Sequence, residues 1–236
     1  MQQYIYGKNI VYDKLKKKDS DIIEIFVLKN RHKDIIDLAR SLKIKVSEID
    51  KNKMDRDFKG NHQGAVALVA DYKYYQLADL ISDKEYPLIL VLDQLEDPHN
   101  FGAIIRSAAA VGVDGIVILD RRSVSVTPTV SKIAAGAIDS VKIAKVNNLK
   151  RALDTLKEAG YWVVGSDLKD SVPYTDIDYK MKTVLVMGSE GKGMSRLVRE
   201  SCDFIGKIPI VNNVESLNVS VATGVFLYEI LRQRSI

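Results

Sequence analysis

The stretch Leu88-Ile89-Leu90-Val91-Leu92-Asp93-Gln94-Leu95-Glu96-Asp97-Pro98-His99-Asn100-Phe101-Gly102-Ala103-Ile104-Ile105-Arg106 decides the fold class. Its first five residues are an unbroken apolar run, as expected of a strand buried on both faces of a parallel sheet. A polar loop follows. Pro98 and Asn100 then open a helix running to Val111, since proline is tolerated in a first turn and asparagine caps exposed backbone donors. The strand-then-helix pattern recurs downstream. Residues 115–119, 162–165, 183–187 and 204–208 read as strands, and 149–159, 194–202 and 218–232 as helices. The last helix places Val219, Ala222, Phe226 and Ile230 on one side. Such alternation predicts an α/β domain whose parallel sheet carries helices on both faces.

Upstream of this unit, residues 82–87 are polar and end in Pro87, which a central strand would not accept. Before them lies a smaller α/β pattern. Residues 21–28 read as a strand, 32–42 as a helix with an apolar stripe, and 43–46 and 65–70 as strands. Residues 51–63 read as a flexible charged stretch, turning through Asn61-His62-Gln63-Gly64 into the last of these strands. The expected organisation is a small α/β domain over 1–75, a linker over 76–87 and a larger α/β domain over 88–236.

The 236 residues, 46% hydrophobic and 28% charged, are those of a globular chain. No apolar run nears the roughly 20 residues that span a bilayer, and the start lacks the basic end and apolar stretch of a signal peptide. The single cysteine, Cys202, forms no intrachain disulfide and reads as a packing residue in a reducing compartment, so a cytoplasmic location is expected. No His/Cys/Asp spacing suggests a metal site. The net charge of +4 is concentrated early, with 15 Lys/Arg against 10 Asp/Glu in residues 1–60. Lys14, Lys16, Lys17 and Lys18 suit phosphate contacts or simply a solvated helix end. Tyr72, Tyr74 and Tyr75 suit base stacking or a half-buried strand edge, and Trp162 with most tyrosines reads as core.

In open α/β sheets ligands collect beyond the carboxyl ends of the strands, which directs attention to loops 93–100, 120–136, 188–193 and 209–217. Read alone, Asn100 is a helix cap and Arg106, two turns further on, a surface ion pair or a phosphate clamp. His99 reads as a surface or phosphate contact before it reads as a general base. The loop Gly188-Ser189-Glu190-Gly191-Lys192-Gly193 allows close backbone approach to a ligand but has neither P-loop nor dinucleotide spacing. Ser216 and Asn218 suit a cap for the last helix, although Asn212, Asn213 and Glu215 make this loop more polar than a cap requires.

Taken together, Asp97-Pro98-x-Asn100-Phe101-Gly102-x-x-x-Arg106, Gly188-Ser189-Glu190-Gly191-x-Gly193 and Ile208-Pro209 with Ser216-Leu217-Asn218-Val219-Ser220-Val221-Ala222 resemble the three motifs of the SpoU (TrmH) family of RNA ribose 2′-O-methyltransferases. The match runs from about Leu88 to Arg234. Tyr6-Gly7-Lys8-Asn9-Ile10-Val11 and His62-Gln63-Gly64 resemble the small substrate-binding domain found in the branch that modifies a guanosine of 23S ribosomal RNA. The resemblance implies a knotted (trefoil) parallel-sheet methyltransferase domain working as a homodimer. S-adenosyl-L-methionine (AdoMet) would be held by Gly188, Gly193, Ile208 and Leu217, with Ile210 helping to line the adenine slot. Asn100, Arg106, Glu190, Ser216 and Asn218 would form the catalytic neighbourhood, and residues 123–137 the family's flexible cofactor-side loop. The family's motif-one arginine is thought to activate the hydroxyl. A guanidinium stays protonated, so Arg106 better suits an electrostatic partner for phosphate and developing alkoxide, with phosphate or water taking the proton. Two alternatives remain: the same chemistry on transfer RNA, and a catalytically silent RNA-binding assembly factor.

Overall fold

The computed structural model describes residues 3–16, 21–212 and 214–235; Lys17, Lys18 and Asn213, singled out above, lie outside them. The chain packs as two units, Met1–Lys73 and Tyr74–Ile236.

In the first unit, β1 (Gln3–Tyr6), β2 (Ile22–Leu28), β3 (Lys45–Ile49) and β4 (Ala65–Val69) form a mixed sheet in the order β1-β4-β2-β3. All of β4 is buried because both faces of the sheet are covered. On one face Val11 and Leu15 of α1 (Lys8–Leu15) and Ile35 and Ala39 of α2 (Lys33–Ser41) pack on Ile25, Val27, Ala65 and Ala67. On the other, Met54 of α3 (Lys51–Asp57) and Phe58 pack on Val66 and Phe26.

Helix α3 corrects the expectation of a flexible stretch over 51–63. The charged composition hid one short amphipathic turn, in which Met54 and Phe58 fall four residues apart on the buried side. Asp50 caps it, accepting from the Lys53 N–H at 2.9 Å. The strand expected over 43–46 starts later, at Lys45, because Lys43 adopts a left-handed φ of 59° that terminates α2. Lys14 pairs with Asp21, and the Lys16 ammonium sits 4.4 Å from the Tyr12 ring centroid. Both cations therefore have partners within the chain.

The second unit is a seven-stranded sheet in the order β7-β6-β5-β10-β8-β11-β9, with every neighbouring pair parallel. Its strands are β5 (Leu88–Leu92), β6 (Gly115–Leu119), β7 (Lys142–Val146), β8 (Trp162–Ser166), β9 (Val172–Pro173), β10 (Thr183–Met187) and β11 (Phe204–Lys207). Ile89, Val91, Val117, Val184 and Val186 pack against Leu149, Leu153 and Leu156 of α6 (Leu149–Glu158) and Val198 of α7 (Arg196–Glu200). Alternate strand residues point the opposite way, towards the side on which α4 (Pro98–Val111) packs against α8 (Val219–Arg234) and α5 (Pro128–Ala134). Residues 76–87 pack along this unit, with Leu80 buried over Gly115.

The C-terminal end of α8 is fixed by Arg234. Its guanidinium donates to the carbonyls of Tyr86, Tyr179 and Met181 and to the Thr183 hydroxyl at 2.8–3.0 Å. Burial brings its pKa down to about 10. Trp162, expected in the core, is 50% exposed and lies 5.8 Å from the Phe204 ring. Both rings sit where their strands begin, beyond the cover of the helices. Tyr161 and Tyr179 are core residues as expected.

Candidate active site

Three loops meet at the carboxyl ends of β5 and β10 and at the start of α8. The first is the β5–α4 loop. Asp97 caps α4, its two carboxylate oxygens accepting from the His99 and Asn100 N–H groups at 3.0 and 3.3 Å. This leaves the buried Asn100 side chain free to make contacts away from its own helix. Its Nδ2 donates to Glu190 Oε1 at 3.1 Å, and its Oδ1 accepts from Asn218 Nδ2 at 2.9 Å. Asn218 Nδ2 also donates to Glu190 Oε1 at 2.6 Å, and the Val219 N–H donates to the same oxygen at 3.3 Å. One carboxylate oxygen thus gathers three donors from two elements that are 118 residues apart in the chain at Asn100 and Asn218. Asn218 Oδ1 in turn accepts from the Ser220 and Val221 N–H groups, so the cap reading of this residue holds as well.

The Gly188–Gly193 loop is folded on itself. Ser189 N–H donates to Gly193 O at 3.1 Å and Gly193 N–H to Ser189 O at 2.9 Å. A Cβ on Gly188 would lie 2.2 Å from the Gly193 carbonyl carbon and 2.3 Å from the Met194 nitrogen, so only glycine fits. Gly191 and Gly193 take φ of 78° and 65°, the left-handed region that glycine enters without strain. Asp93, 1% exposed at the end of β5, accepts from the Ser195 N–H at 2.6 Å and ties the far side of the loop to the sheet.

Beside this cluster opens a cavity of about 360 Å³. Gly188, Gly193, Ile208, Ile210, Ser216 and Leu217 all line it, as does Glu190. Its walls combine apolar side chains with the open backbone of the glycine loop. Ser166, the last residue of β8, with Asp167 and Leu168 just after it, completes the lining, and none of the three stood out in the sequence. They follow a predicted strand, so the rule that directed attention to the other strand-end loops applied to them equally.

Arg106 stands apart. It is exposed on α4 and makes no hydrogen bond or ion pair with any described residue, so the ion-pair reading fails. It is brought to neither the Asn100–Glu190–Asn218 cluster nor the cavity wall. Residues 123–137, expected as a flexible cofactor-side loop, hold α5, capped by Thr127, and none of them lines the cavity. The cause lies in packing: Val130 and Ala134 are buried, and Gly102 of α4 presses on Ile133. Tyr74 is engaged too, its hydroxyl accepting from the Val126 N–H at 2.8 Å. Cys202 is half-buried, and burial pushes its thiol up to about 12. Among the described residues no group of three or more His, Cys, Asp or Glu is placed to hold a metal ion, and no helix is long and apolar enough to cross a membrane.

Residues 87–228 match the SpoU rRNA Methylase family, and residues 4–75 match the family of RNA 2′-O ribose methyltransferase substrate-binding domains. The chain therefore belongs to the SpoU rRNA methylase family and is an RNA methyltransferase. YacO of Bacillus subtilis (strain 168), a protein of the TrmH family, is 45% identical over 240 residues, 98% of this chain and 96% of that one. The AdoMet-bound rRNA methyltransferase from Sinorhizobium meliloti superposes with a TM-score of 0.77 at 26% identity, over 98% of this chain and 87% of its own. The TrmH/SpoU tRNA modifying enzyme of A. aeolicus is 35% identical, with a TM-score of 0.59 over 67% of this chain and 81% of its own.

Proposed function

We propose that the protein transfers a methyl group from AdoMet to the ribose 2′-hydroxyl of a guanosine in 23S ribosomal RNA, acting in the cytoplasm as a homodimer. The observation that carries this reading is Glu190 Oε1, which holds Asn100, Asn218 and the start of α8 together at the edge of the 360 Å³ cavity. When bound, AdoMet supplies an electrophilic sulfonium methyl and leaves as S-adenosylhomocysteine, while the 2′-hydroxyl proton goes to phosphate or water.

The cavity suits such a molecule. Ile208, Ile210 and Leu217 offer an apolar slot for adenine, and Gly188 and Gly193 offer backbone groups at close range. Asn100 and Asn218, held by Glu190, and Ser216 on the cavity wall orient polar groups near the reacting atoms. Arg106, exposed and without a partner among the described residues, is suited to hold the phosphate next to the target ribose and to stabilise the developing alkoxide. Val221 and Tyr228, seven residues apart on α8 and 53% and 57% exposed, support a second copy covering that helix. The C-terminal threading implied by the motifs belongs to the same reading; the placement of β10 between β5 and β8 supports it. Residues 1–75 would grip RNA away from the reacting nucleotide, with 76–87 joining them to the methyltransferase domain over 88–236.

Incubation with labelled AdoMet and total bacterial RNA tests the proposal. Label in 23S RNA is the expected result. Label in transfer RNA favours a second reading, supported by the 35% identity to the A. aeolicus enzyme. That likeness spans only 67% of this chain, whereas the additional N-terminal unit favours a large structured RNA. Label in neither RNA would sink both.

A further inference from the structure

A second cavity, of about 220 Å³, lies on the other side of Glu190. The two cavities share Ser189, Glu190 and Lys192 as a common wall. Methyl transfer requires the accepting oxygen within about 3–3.5 Å of the methyl carbon and in line with the bond that breaks. If the larger cavity holds the donor, as proposed above, the smaller one is positioned to receive the acceptor nucleotide. Its size admits one extruded base.

The lining of this smaller cavity sorts by which polar groups are already in use. Both oxygens of Asp97 cap α4. Asn100 and Glu190 Oε1 are engaged with each other and with Asn218. Gln94, Glu96 and Lys192 are exposed and make no hydrogen bond or ion pair with any described residue. The loop that presents the first two is nonetheless rigid. Leu95 between them is 3% exposed, and its carbonyl accepts from the Ser123 hydroxyl at 3.1 Å and the Val124 N–H at 2.6 Å. Gln94 itself is held at a φ of 56°, in the left-handed region that residues other than glycine rarely enter and that is enriched at ligand sites.

We propose that this cavity is the target-base pocket and that Glu96 and Gln94 select guanine. Among the four RNA bases only guanine presents two adjacent N–H donors, N1–H and N2–H₂, on its pairing edge. They match the two oxygens of a carboxylate in a bidentate pair. The Gln94 amide and the Lys192 ammonium supply donors for the neighbouring O6. Adenine and cytosine offer a carboxylate one amino group each, and uracil a single ring N–H. An extruded base is read through this edge.

The assignment rests on the methyl-transfer reading, and its test separates the two. The protein is incubated with labelled AdoMet and total bacterial RNA, and the RNA is digested to nucleosides and analysed by mass spectrometry. The wild-type product is 2′-O-methylguanosine. Glu96→Gln keeps the shape but turns one acceptor into a donor facing a donor; transfer falls by about 100-fold or more, as for sites built around a specific hydrogen bond. Gln94→Ala loses roughly 10-fold. AdoMet affinity, measured by calorimetry, stays within about twofold in both variants, which a general disturbance of the loop would not allow. Wild-type transfer by Glu96→Gln, a parallel loss of AdoMet affinity, or a methylated adenosine, cytidine or uridine overturns the pocket assignment and leaves methyl transfer standing. No label in any RNA overturns both.

Discussion

Gly188→Ala tests the glycine loop most directly. The added Cβ would approach the Gly193 carbonyl carbon to 2.2 Å, where ordinary contact begins at 3.4 Å. The neighbour is backbone, so no side-chain rotation relieves the clash, and the loop must retreat by about 1.2 Å, the difference of those distances. That displacement carries Gly193 and the paired Ser189 with it, and both line the 360 Å³ cavity. Overpacking of this kind costs about 1–3 kcal/mol. At about 2–4 °C per kcal/mol, the melting temperature falls by roughly 2–12 °C. A shift near 1 Å at a reacting site costs about 100-fold in rate, and AdoMet affinity is expected to weaken by at least about 10-fold by the same misplacement. Titration calorimetry and scanning calorimetry read the two effects. Gly191→Ala is the control: its Cβ meets nothing within 4 Å, but its φ of 78° costs a side chain roughly 1–2 kcal/mol. It should lose stability with a smaller loss of AdoMet affinity. Undiminished AdoMet affinity in Gly188→Ala would refute the reasoning.

Arg106→Ala removes an exposed cation that has no partner among the described residues; transfer to RNA should drop by about 100- to 1000-fold while AdoMet affinity and melting temperature stay unchanged, and full turnover would overturn the role proposed for Arg106. Asp93→Ala strands the Ser195 N–H behind the glycine loop, so a loss of about 1–3 kcal/mol in urea unfolding is expected, with weaker AdoMet binding; stability equal to wild type would contradict it. Asn100→Ala and Asn218→Ala both disturb the contacts at Glu190 Oε1, so the double variant should lose less than the product of the single losses, and strict additivity in a kinetic cycle would argue against one unit. Burial raises the Cys202 thiol from 9.0 to about 12. Between those values the folded chain holds the proton that the unfolded chain releases, so the stabilisation is complete below about pH 9 and lost towards pH 12. The stability difference between wild type and Cys202→Ala should therefore decline between pH 8 and 11 in denaturant titrations, and a flat difference would count against it.

The larger domain was legible because its strands are uniform. Residues 88–92 and 183–187 are buried on both faces, and a continuous apolar run reports that condition. Elements escaped where burial was one-sided or brief. Strand β7 exposes Lys142 and only partly buries Lys145, so its pattern is diluted, and α5 is seven residues long, too short for a helical period to register. The helix expected over 194–202 shrinks to Arg196–Glu200 because Ser195 is extended, with φ −62° and ψ 149°, in the position where its N–H donates to Asp93. The charges of α3 mask its amphipathic side, and Trp162 departs from the usual burial of a large aromatic because it stands at the open start of β8.

The site was legible as chemistry but not as geometry, for a reason that lies in the strand order. Chain order alone would continue β5, β6, β7 and β8 across the sheet, placing β10 far from β5. In the structure β10 pairs directly with β5, Met187 opposite Leu92. Their following loops therefore emerge side by side, and Glu190 reaches the Asn100 that precedes it by 90 residues. The packing of α8 on α4 then delivers Asn218 to the same point. No local periodicity encodes that crossover; only the motifs seen together hinted that three distant segments form one site. The same placement explains why Glu190 separates two cavities. It rises from the seam between adjacent parallel strands, with the β5 loop on one side and the loops after β8 and β11 on the other. A residue at that seam is fixed by the loops on both sides, so substitutions in either loop should disturb the position of Glu190.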